Sequence, residues 1–208
     1  MAPFRASTAT VLRTLLPLAA LGLLGLTGCD SSDDGPAGGC LPPEVVDGPL
    51  RTDYPTDNIG RTEGETLENL SFTTPEGETF ELASLYEQPG NKLLMVVTAS
   101  GWCTACIEEQ PKLQELHDAF SCQGLAVMVA VFQDQNYEAA VPRDAENWQR
   151  RFDLTFPVLA DEGFVLSDYY DESLTPMVML VDAETMEIVS IETGYNEANV
   201  RAVINAYL

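Results

Sequence analysis

The sequence predicts an α/β domain in which a central mixed sheet is flanked by helices, with an extra β-hairpin at its N-terminal end. Two continuous apolar runs, residues 93–97 and 125–132, are typical of strands buried on both faces. Between them, residues 105–120 carry apolar side chains at helical spacing, and strands that alternate with helices form a parallel core with helices on both faces. A late pair of strands, residues 177–181 and 188–191, adds an antiparallel edge.

The N-terminal hairpin is predicted from alternating side chains on either side of a turn. Leu70 and Phe72 alternate with polar neighbours, and Phe80 and Leu82 resume the alternation. Residues 74–77 supply Thr-Pro-Glu-Gly, a sequence rich in turn-forming residues. This pattern predicts two short antiparallel strands before the first buried strand.

Four further elements are expected after the second buried strand. Residues 145–152 have the apolar face of a helix, and residues 156–159 form a short apolar run that predicts a strand. Residues 164–170 are predicted to be a short helix. The last helix, residues 196–208, can be capped by Asn196.

Composition limits both the class of protein and its partners. The chain has 208 residues, of which 45% are hydrophobic, so one globular domain with appendages is expected. The formal net charge is -23, which argues against nucleic acid as a partner because nucleic-acid binding needs clustered Lys and Arg. The single histidine, His117, excludes multi-histidine metal centres, and we expect it to face solvent on its helix.

Residues 1–28 are predicted to be a lipoprotein signal peptide. Arg5 and Arg13 accompany an uncharged, leucine-rich run that is too short to span a bilayer as a helix. The run ends in Leu-Thr-Gly followed by Cys29, which resembles the bacterial lipobox. That resemblance implies cleavage before Cys29 and lipid attachment to its sulfur, so we expect an exported, membrane-anchored lipoprotein facing the periplasm or the cell exterior. An ordinary secretory signal with a chance cysteine is the alternative.

Residues 29–57 are predicted to be a flexible acidic tether, and residues 58–208 the folded domain. The tether contains paired Asp, Gly and Pro residues and no sustained apolar period. Export favours a structural disulfide between Cys40 in the tether and Cys122 in the domain. A buried free Cys122 with an exposed Cys40 is equally compatible with the sequence, because disulfide connectivity is not determined by it.

Cys103 and Cys106 carry the predicted chemistry. They form a C-x-x-C pair after a buried strand and at the start of a helix, where free N–H groups and the helix dipole stabilise a thiolate. We therefore expect Cys103 to be the exposed nucleophile and Cys106, one helical turn later, to be the resolving thiol. A merely structural disulfide and half of a zinc site are the alternatives, although His117 lies about 16 Å farther along the helix, too far to share a metal ion.

The residues around this pair resemble the thioredoxin superfamily, and within it the membrane-tethered, TlpA-like thiol-disulfide oxidoreductases related to the redoxin and AhpC/TSA proteins. The matching residues, besides the two cysteines, are Trp102, Glu109, Pro111, Thr175 and Pro176. The resemblance covers about residues 58–208 and implies a thioredoxin-like fold with a redox-active disulfide between Cys103 and Cys106. It also implies a cis bond before Pro176 that faces the pair, whereas Pro111 should kink the helix.

The leading functional prediction is a membrane-anchored enzyme that reduces protein disulfides outside the cytoplasm. Its expected partners are protein cysteines and disulfides, a membrane-embedded electron donor and the lipid bilayer, and we expect no cofactor and no metal ion. The residues between the cysteines, Thr104 and Ala105, depart from the family, which commonly has a proline before the second cysteine. This departure, together with the negative charge of Glu108 and Glu109, favours a reducing couple.

Two other functions remain alternatives. A peroxiredoxin-like thiol peroxidase would, by family resemblance, need a P-x-x-x-T-x-x-C motif, but Val96 occupies the proline position and Ser100 the threonine position. A non-enzymatic copper-delivery protein of the same fold would use C-x-x-x-C and a downstream histidine, but the sequence has no C-x-x-x-C spacing and no histidine beyond the active-site helix that contains His117.

Overall fold

The apolar runs of the sequence form the centre of one mixed sheet. The structure is a computed structural model that describes residues 48–208. In that part of the chain two 3-10 turns, Ser121–Gln123 and Glu172–Leu174, accompany the helices and strands. The helices and strands are β1 (Ser71–Thr73), β2 (Thr79–Glu81), α1 (Ala83–Tyr86), β3 (Leu93–Ser100), α2 (Thr104–Phe120), β4 (Leu125–Gln133), α3 (Pro142–Phe152), β5 (Val158–Ala160), β6 (Met177–Asp182), β7 (Ile188–Thr193) and α4 (Glu197–Tyr207).

The sheet has seven strands in the order β2-β1-β5-β4-β3-β6-β7. The three central strands β3, β4 and β5 are parallel. On the other side of β3, β6 pairs antiparallel with β3, and β7 pairs antiparallel with β6. The β1–β2 hairpin joins the opposite edge, where Thr73 pairs with Ala160. The predicted mixed sheet and its extra N-terminal hairpin are therefore confirmed.

Alternate residues of β3 divide the core into two layers. Leu93, Met95 and Val97 pack in one cluster with buried side chains of α2, α3 and α4. Leu94 and Val96 point into a second cluster on the other face of the sheet. The three long helices thus share one face, and this packing holds the first turn of α2 against the end of β3.

The second face is covered by α1 and by irregular segments, because the helix predicted over residues 164–170 does not form. These residues are turns, and Phe164 has φ 54°, a left-handed conformation that interrupts a right-handed helix. The buried carboxylate of Asp161 accepts the backbone N–H groups of Val165 at 2.8 Å and Leu166 at 3.2 Å. The side chain supplies the acceptors that a preceding helical turn would provide.

The folded part of the chain begins before residue 58. The guanidinium of Arg51 donates hydrogen bonds to backbone carbonyls of Tyr86 at 2.9 Å, Ala183 at 3.0 Å and Asn91 at 2.7 Å. The Tyr54 hydroxyl donates to the carbonyl of Leu67 at 2.9 Å. The segment at residues 51–54 is therefore bonded to the domain, although the sequence analysis placed it in the tether.

Residues 1–47 lie outside the part of the chain that the structure describes. Three predicted features lie there: the signal peptide, the lipidation of Cys29 and the first part of the tether. Cys40, one end of the predicted disulfide with Cys122, lies there as well. All four features stay predictions. From residue 48 onwards, no helix is both long enough and apolar enough to cross a membrane. His117, expected to face solvent, is half-buried, and its ring lies 5.4 Å from that of Phe156 in an edge-on contact.

Candidate active site

Cys103 and Cys106 are joined by a disulfide at the N-terminus of α2, with their Cα atoms 5.3 Å apart. Cys103 is the N-cap residue, with an extended backbone of φ -83° and ψ 107°. Its Sγ accepts the backbone N–H of Cys106 at 3.0 Å. An N–H group aimed at sulfur at the positive end of a helix stabilises the thiolate, so the local geometry suits a nucleophilic Cys103.

The two cysteines differ in their access to solvent. Cys103 retains 5% of its surface and Cys106 retains none, so the expectation of an exposed Cys103 is wrong for the disulfide form. Thr175, just before β6, contacts both sulfur atoms. Only Cys103 can be reached from outside, and its role as the nucleophile stays a prediction.

Thr175 and Pro176 come to the pair through the register of the sheet. β6 runs antiparallel to β3, with Val178 opposite Val97, and the residues just before β6 therefore lie level with the end of β3. The Thr175–Pro176 peptide bond is cis. The Thr175 carbonyl oxygen lies 3.7 Å from Sγ of Cys103, and the Thr175 Oγ1 lies 3.8 Å from Sγ of Cys106.

Trp102 is held in place by a loop that the sequence analysis did not connect to the site. Its ring stacks on Tyr137 with 5.1 Å between centroids and 20° between planes. Its Nε1 donates to Oε1 of Gln133 at 3.0 Å, and the Gln133 amide donates to the carbonyl of Tyr137 at 3.1 Å. Tyr137 has φ 67° and a largely exposed ring, so an aromatic surface lies beside Cys103. No sequence motif marks this loop.

Glu109 is a buried carboxyl one helical turn after Cys106. It is 2% exposed, and neither of its carboxylate oxygens has a hydrogen-bond partner. Burial raises the pKa of Glu109 to about 8, and the nearby ammonium of Lys112 opposes the rise. The carboxyl is therefore mostly protonated at pH 7, and the negative charge expected there from the sequence is largely absent at that pH.

Pro111 lies inside α2 on its exposed side. Its missing N–H removes one hydrogen bond from the helix, and the kink expected from this stays a prediction. The adjacent Gln110 is fully buried, and its side-chain amide donates to the carbonyl of Cys106 at 2.8 Å. This contact fixes the helix backbone at the second cysteine.

A cavity of about 220 Å³ opens beside Gly101, two residues before Cys103. Polar and apolar surface contribute about equally to its walls, which include Asp144, Asn147 and Arg151. Across residues 48–208, no group of three or more His, Cys, Asp or Glu side chains could hold a metal ion.

The mixed sheet and the cysteine pair at a helix N-terminus define a thioredoxin-like domain. Among solved structures, the thioredoxin domain of a thiol-disulfide oxidoreductase from Bacteroides vulgatus has a TM-score of 0.55 at 18% identity, covering 71% of this chain and 99% of that one. A secreted disulfide oxidoreductase from Mycobacterium tuberculosis has a TM-score of 0.51 at 18% identity, covering 66% of this chain and 96% of that one. The thioredoxin-like fold is confirmed.

Residues 64–189, more than half of the chain, match the AhpC/TSA family, and the chain belongs to that family. It is 29% identical to the thioredoxin-like protein YneN of Bacillus subtilis over 116 residues, and this match covers 56% of this chain and 64% of YneN. It is 31% identical over 131 residues to the thiol-disulfide oxidoreductase ResA of Halalkalibacterium halodurans, covering 63% of this chain and 68% of ResA. The chain thus spans less than two thirds of the length of YneN.

Proposed function

We propose that the protein is a membrane-anchored thiol-disulfide oxidoreductase that reduces protein disulfides outside the cytoplasm. The observation that carries the proposal is the Cys103–Cys106 disulfide at the N-terminus of α2, in contact with the Thr175–Pro176 segment. The names of the relatives YneN and ResA support the same chemistry.

The proposed reaction begins with the reduced protein. The Cys103 thiolate attacks one sulfur of a substrate disulfide, the substrate S–S bond breaks, and the released sulfur takes up a proton. Cys106 then attacks Sγ of Cys103, which forms the Cys103–Cys106 disulfide and expels the second substrate sulfur. Two electrons pass from the cysteine pair to the substrate, and an external donor must return them.

A backbone N–H and a side-chain carboxyl act on different cysteines of the pair. The N–H of Cys106 stabilises the Cys103 thiolate and so favours attack. Glu109, three residues after Cys106 on the same buried face of α2, is the proposed acceptor of the Cys106 proton before the second step, in the minority of molecules at pH 7 in which its carboxyl is ionised. Its pKa of about 8 suits a group that exchanges protons near neutral pH.

A protein substrate fits the exposed surface better than a small molecule does. The large side chains of Tyr137 and Leu174 are exposed on the two segments that flank the pair, next to Trp102 and Thr175. Exposed apolar side chains around a reactive centre provide contact area for a polypeptide. Export and the anchor at Cys29 would place this surface outside the cytoplasm, where protein disulfides persist.

The experiment that tests the enzyme is a trapping assay on residues 30–208, which keep Cys40 together with Cys122, with insulin as the disulfide substrate. We expect Cys106→Ser to accumulate a mixed disulfide with insulin chains, since Cys103 can attack but nothing resolves the product, and Cys103→Ser to trap none. Trapping by Cys103→Ser alone would reverse the proposed roles. Rapid peroxide consumption without insulin reduction would favour the peroxidase, and stoichiometric copper binding without either activity would favour copper delivery.

The anchor has a separate test in a bacterial host. Cys29→Ser should leave the full-length chain unprocessed or mislocalised, because the sulfur is the proposed site of lipid attachment. Normal maturation and membrane fractionation of this variant would contradict the lipoprotein assignment and leave the redox chemistry untouched.

A further inference from the structure

Three hydroxyl groups lie together on the side of Cys106 that faces β6. Thr98 is fully buried on β3, and its Oγ1 lies 3.4 Å from Oγ1 of Thr175. Burial raises the pKa of the Tyr170 hydroxyl to about 12, and hydrogen bonds with the Thr98 and Thr175 side chains oppose the rise. The Thr175 hydroxyl in turn lies 3.8 Å from Sγ of Cys106.

The backbone supplies one directed hydrogen bond to these hydroxyls. The backbone N–H of Met177 donates to Oγ1 of Thr98 at 2.8 Å, at the point where the paired register of β3 and β6 ends. Because the Thr98 oxygen accepts that bond, its own proton can point at Oγ1 of Thr175. With Thr98 as the donor, the Thr175 proton can point at Sγ of Cys106.

We propose that Thr98 and Tyr170 are positioning residues that aim the Thr175 hydroxyl at Cys106 and thereby stabilise the Cys106 thiolate as it attacks the mixed disulfide. This inference rests on the proposed function. In the disulfide form the sulfur is only a weak acceptor, whereas a thiolate is a strong one, so the hydroxyl acts mainly while charge is present on Cys106. The attack forms the Cys103–Cys106 bond and breaks the Cys103–substrate bond, and the substrate sulfur leaves with the electron pair and takes up a proton.

This arrangement affects one step of the reaction and leaves the other unchanged. The Cys103 sulfur has the N–H of Cys106 as its partner, and its contact with Thr175 is to the carbonyl oxygen, which cannot donate. Loss of the hydroxyl chain should therefore slow resolution by Cys106 without slowing the first attack by Cys103. General damage to the fold would impair both steps.

The test is a single-turnover experiment on residues 30–208, which keep Cys40 together with Cys122, with a synthetic peptide that carries one intermolecular disulfide. Acid quenching and mass spectrometry follow the formation of the Cys103–peptide mixed disulfide and its decay. We expect Thr98→Val to slow the decay about tenfold, in keeping with loss of an aligned donor to a charged group, and to leave formation within about twofold. Tyr170→Phe should slow the decay about threefold, since one of the two aligning hydroxyls remains.

Two controls separate positioning from packing. Thr98→Ser keeps the hydroxyl and should restore the decay rate to within about twofold of the wild type. Thr66→Val removes a buried hydroxyl elsewhere in the domain and should change neither step. Equal slowing of both steps by Thr98→Val, or an unchanged decay rate in Tyr170→Phe, would overturn the inference. A wild-type protein that forms no mixed disulfide would instead refute the proposed function.

Discussion

Replacing Glu109 with glutamine should change how the stability of the oxidised protein depends on pH. The folded protein keeps the Glu109 proton up to a pKa of about 8, because the carboxyl is buried and has no hydrogen-bond partner. In the unfolded chain the same group ionises at its ordinary value of 4.5. Between these two values the unfolded state releases a proton that the folded state retains, so the wild type loses stability as the pH rises through this window.

The size of the effect follows from the width of the window. One pH unit corresponds to about 1.4 kcal/mol, so the full interval gives an upper limit of about 5 kcal/mol. Lys112 and local rearrangement around an ionised carboxylate reduce this amount, and we expect about 2 to 5 kcal/mol. Glu109→Gln has no proton to lose at this position. Its stability relative to the wild type should therefore rise by that amount from pH 4.5 to pH 8 and stay level above.

The measurement is urea unfolding of residues 30–208 at several pH values, with the Cys103–Cys106 disulfide intact so that neither of these two thiols titrates. Glu108→Gln is the matched control, because it removes an exposed carboxylate from the adjacent position of α2. Its difference from the wild type should stay within about 0.5 kcal/mol across the range. A Glu109→Gln profile parallel to that of the wild type would refute the argument, since it would mean that Glu109 ionises in the folded protein as it does in water.

Three other substitutions test the packing that holds the site. Gly101→Ala would place a Cβ 2.5 Å from the backbone nitrogen of Gln135, so the loop must move, and we expect a loss of about 1–3 kcal/mol in the free energy of unfolding together with slower insulin reduction. Leu113→Ala opens a cavity in the cluster behind α2 and should cost about 2–5 kcal/mol, measured by urea unfolding. Arg51→Ala removes a guanidinium bonded to backbone carbonyls and should expose residues 48–57 to rapid proteolysis, whereas an unchanged cleavage rate would show that the segment is held by other contacts.

The sequence alone could predict those parts of the site that are formed by neighbouring residues. The pair Cys103 and Cys106 needs only a strand, a turn and a helix in the right order, and these elements are encoded by adjacent residues. Thr175 and Pro176 could be assigned to the pair only through resemblance, because their contact depends on the antiparallel register of β6 against β3. The register joins residues more than 70 positions apart, and no periodicity in the sequence reports it.

Side-chain contacts could not be predicted from the sequence where the backbone departs from regular structure. Tyr137 supports Trp102 from a loop in a left-handed conformation, which no apolar pattern predicts. Residues 164–170 have a helical distribution of apolar side chains, yet the carboxylate of Asp161 captures the N–H groups there. The same wrong prediction hid the role of Tyr170, because a residue of a predicted short helix gave no reason to expect hydrogen bonds with Thr98 and Thr175.

Two polar groups near Cys106, one buried and one half-buried, cannot replace each other. Glu109, on its own helix, has a pKa of about 8 and can exchange a proton near neutral pH. The Thr175 hydroxyl oxygen lies 3.8 Å from Sγ of Cys106. A hydroxyl does not ionise near neutral pH, so it can only donate a hydrogen bond to a charge that has already formed. Water does not reach the Cys106 sulfur, which has no exposed surface, so water can neither take its proton nor donate a hydrogen bond to it. The domain therefore keeps a costly buried carboxyl and a half-buried hydroxyl near one fully buried thiol, as expected if that thiol must become a thiolate inside the protein.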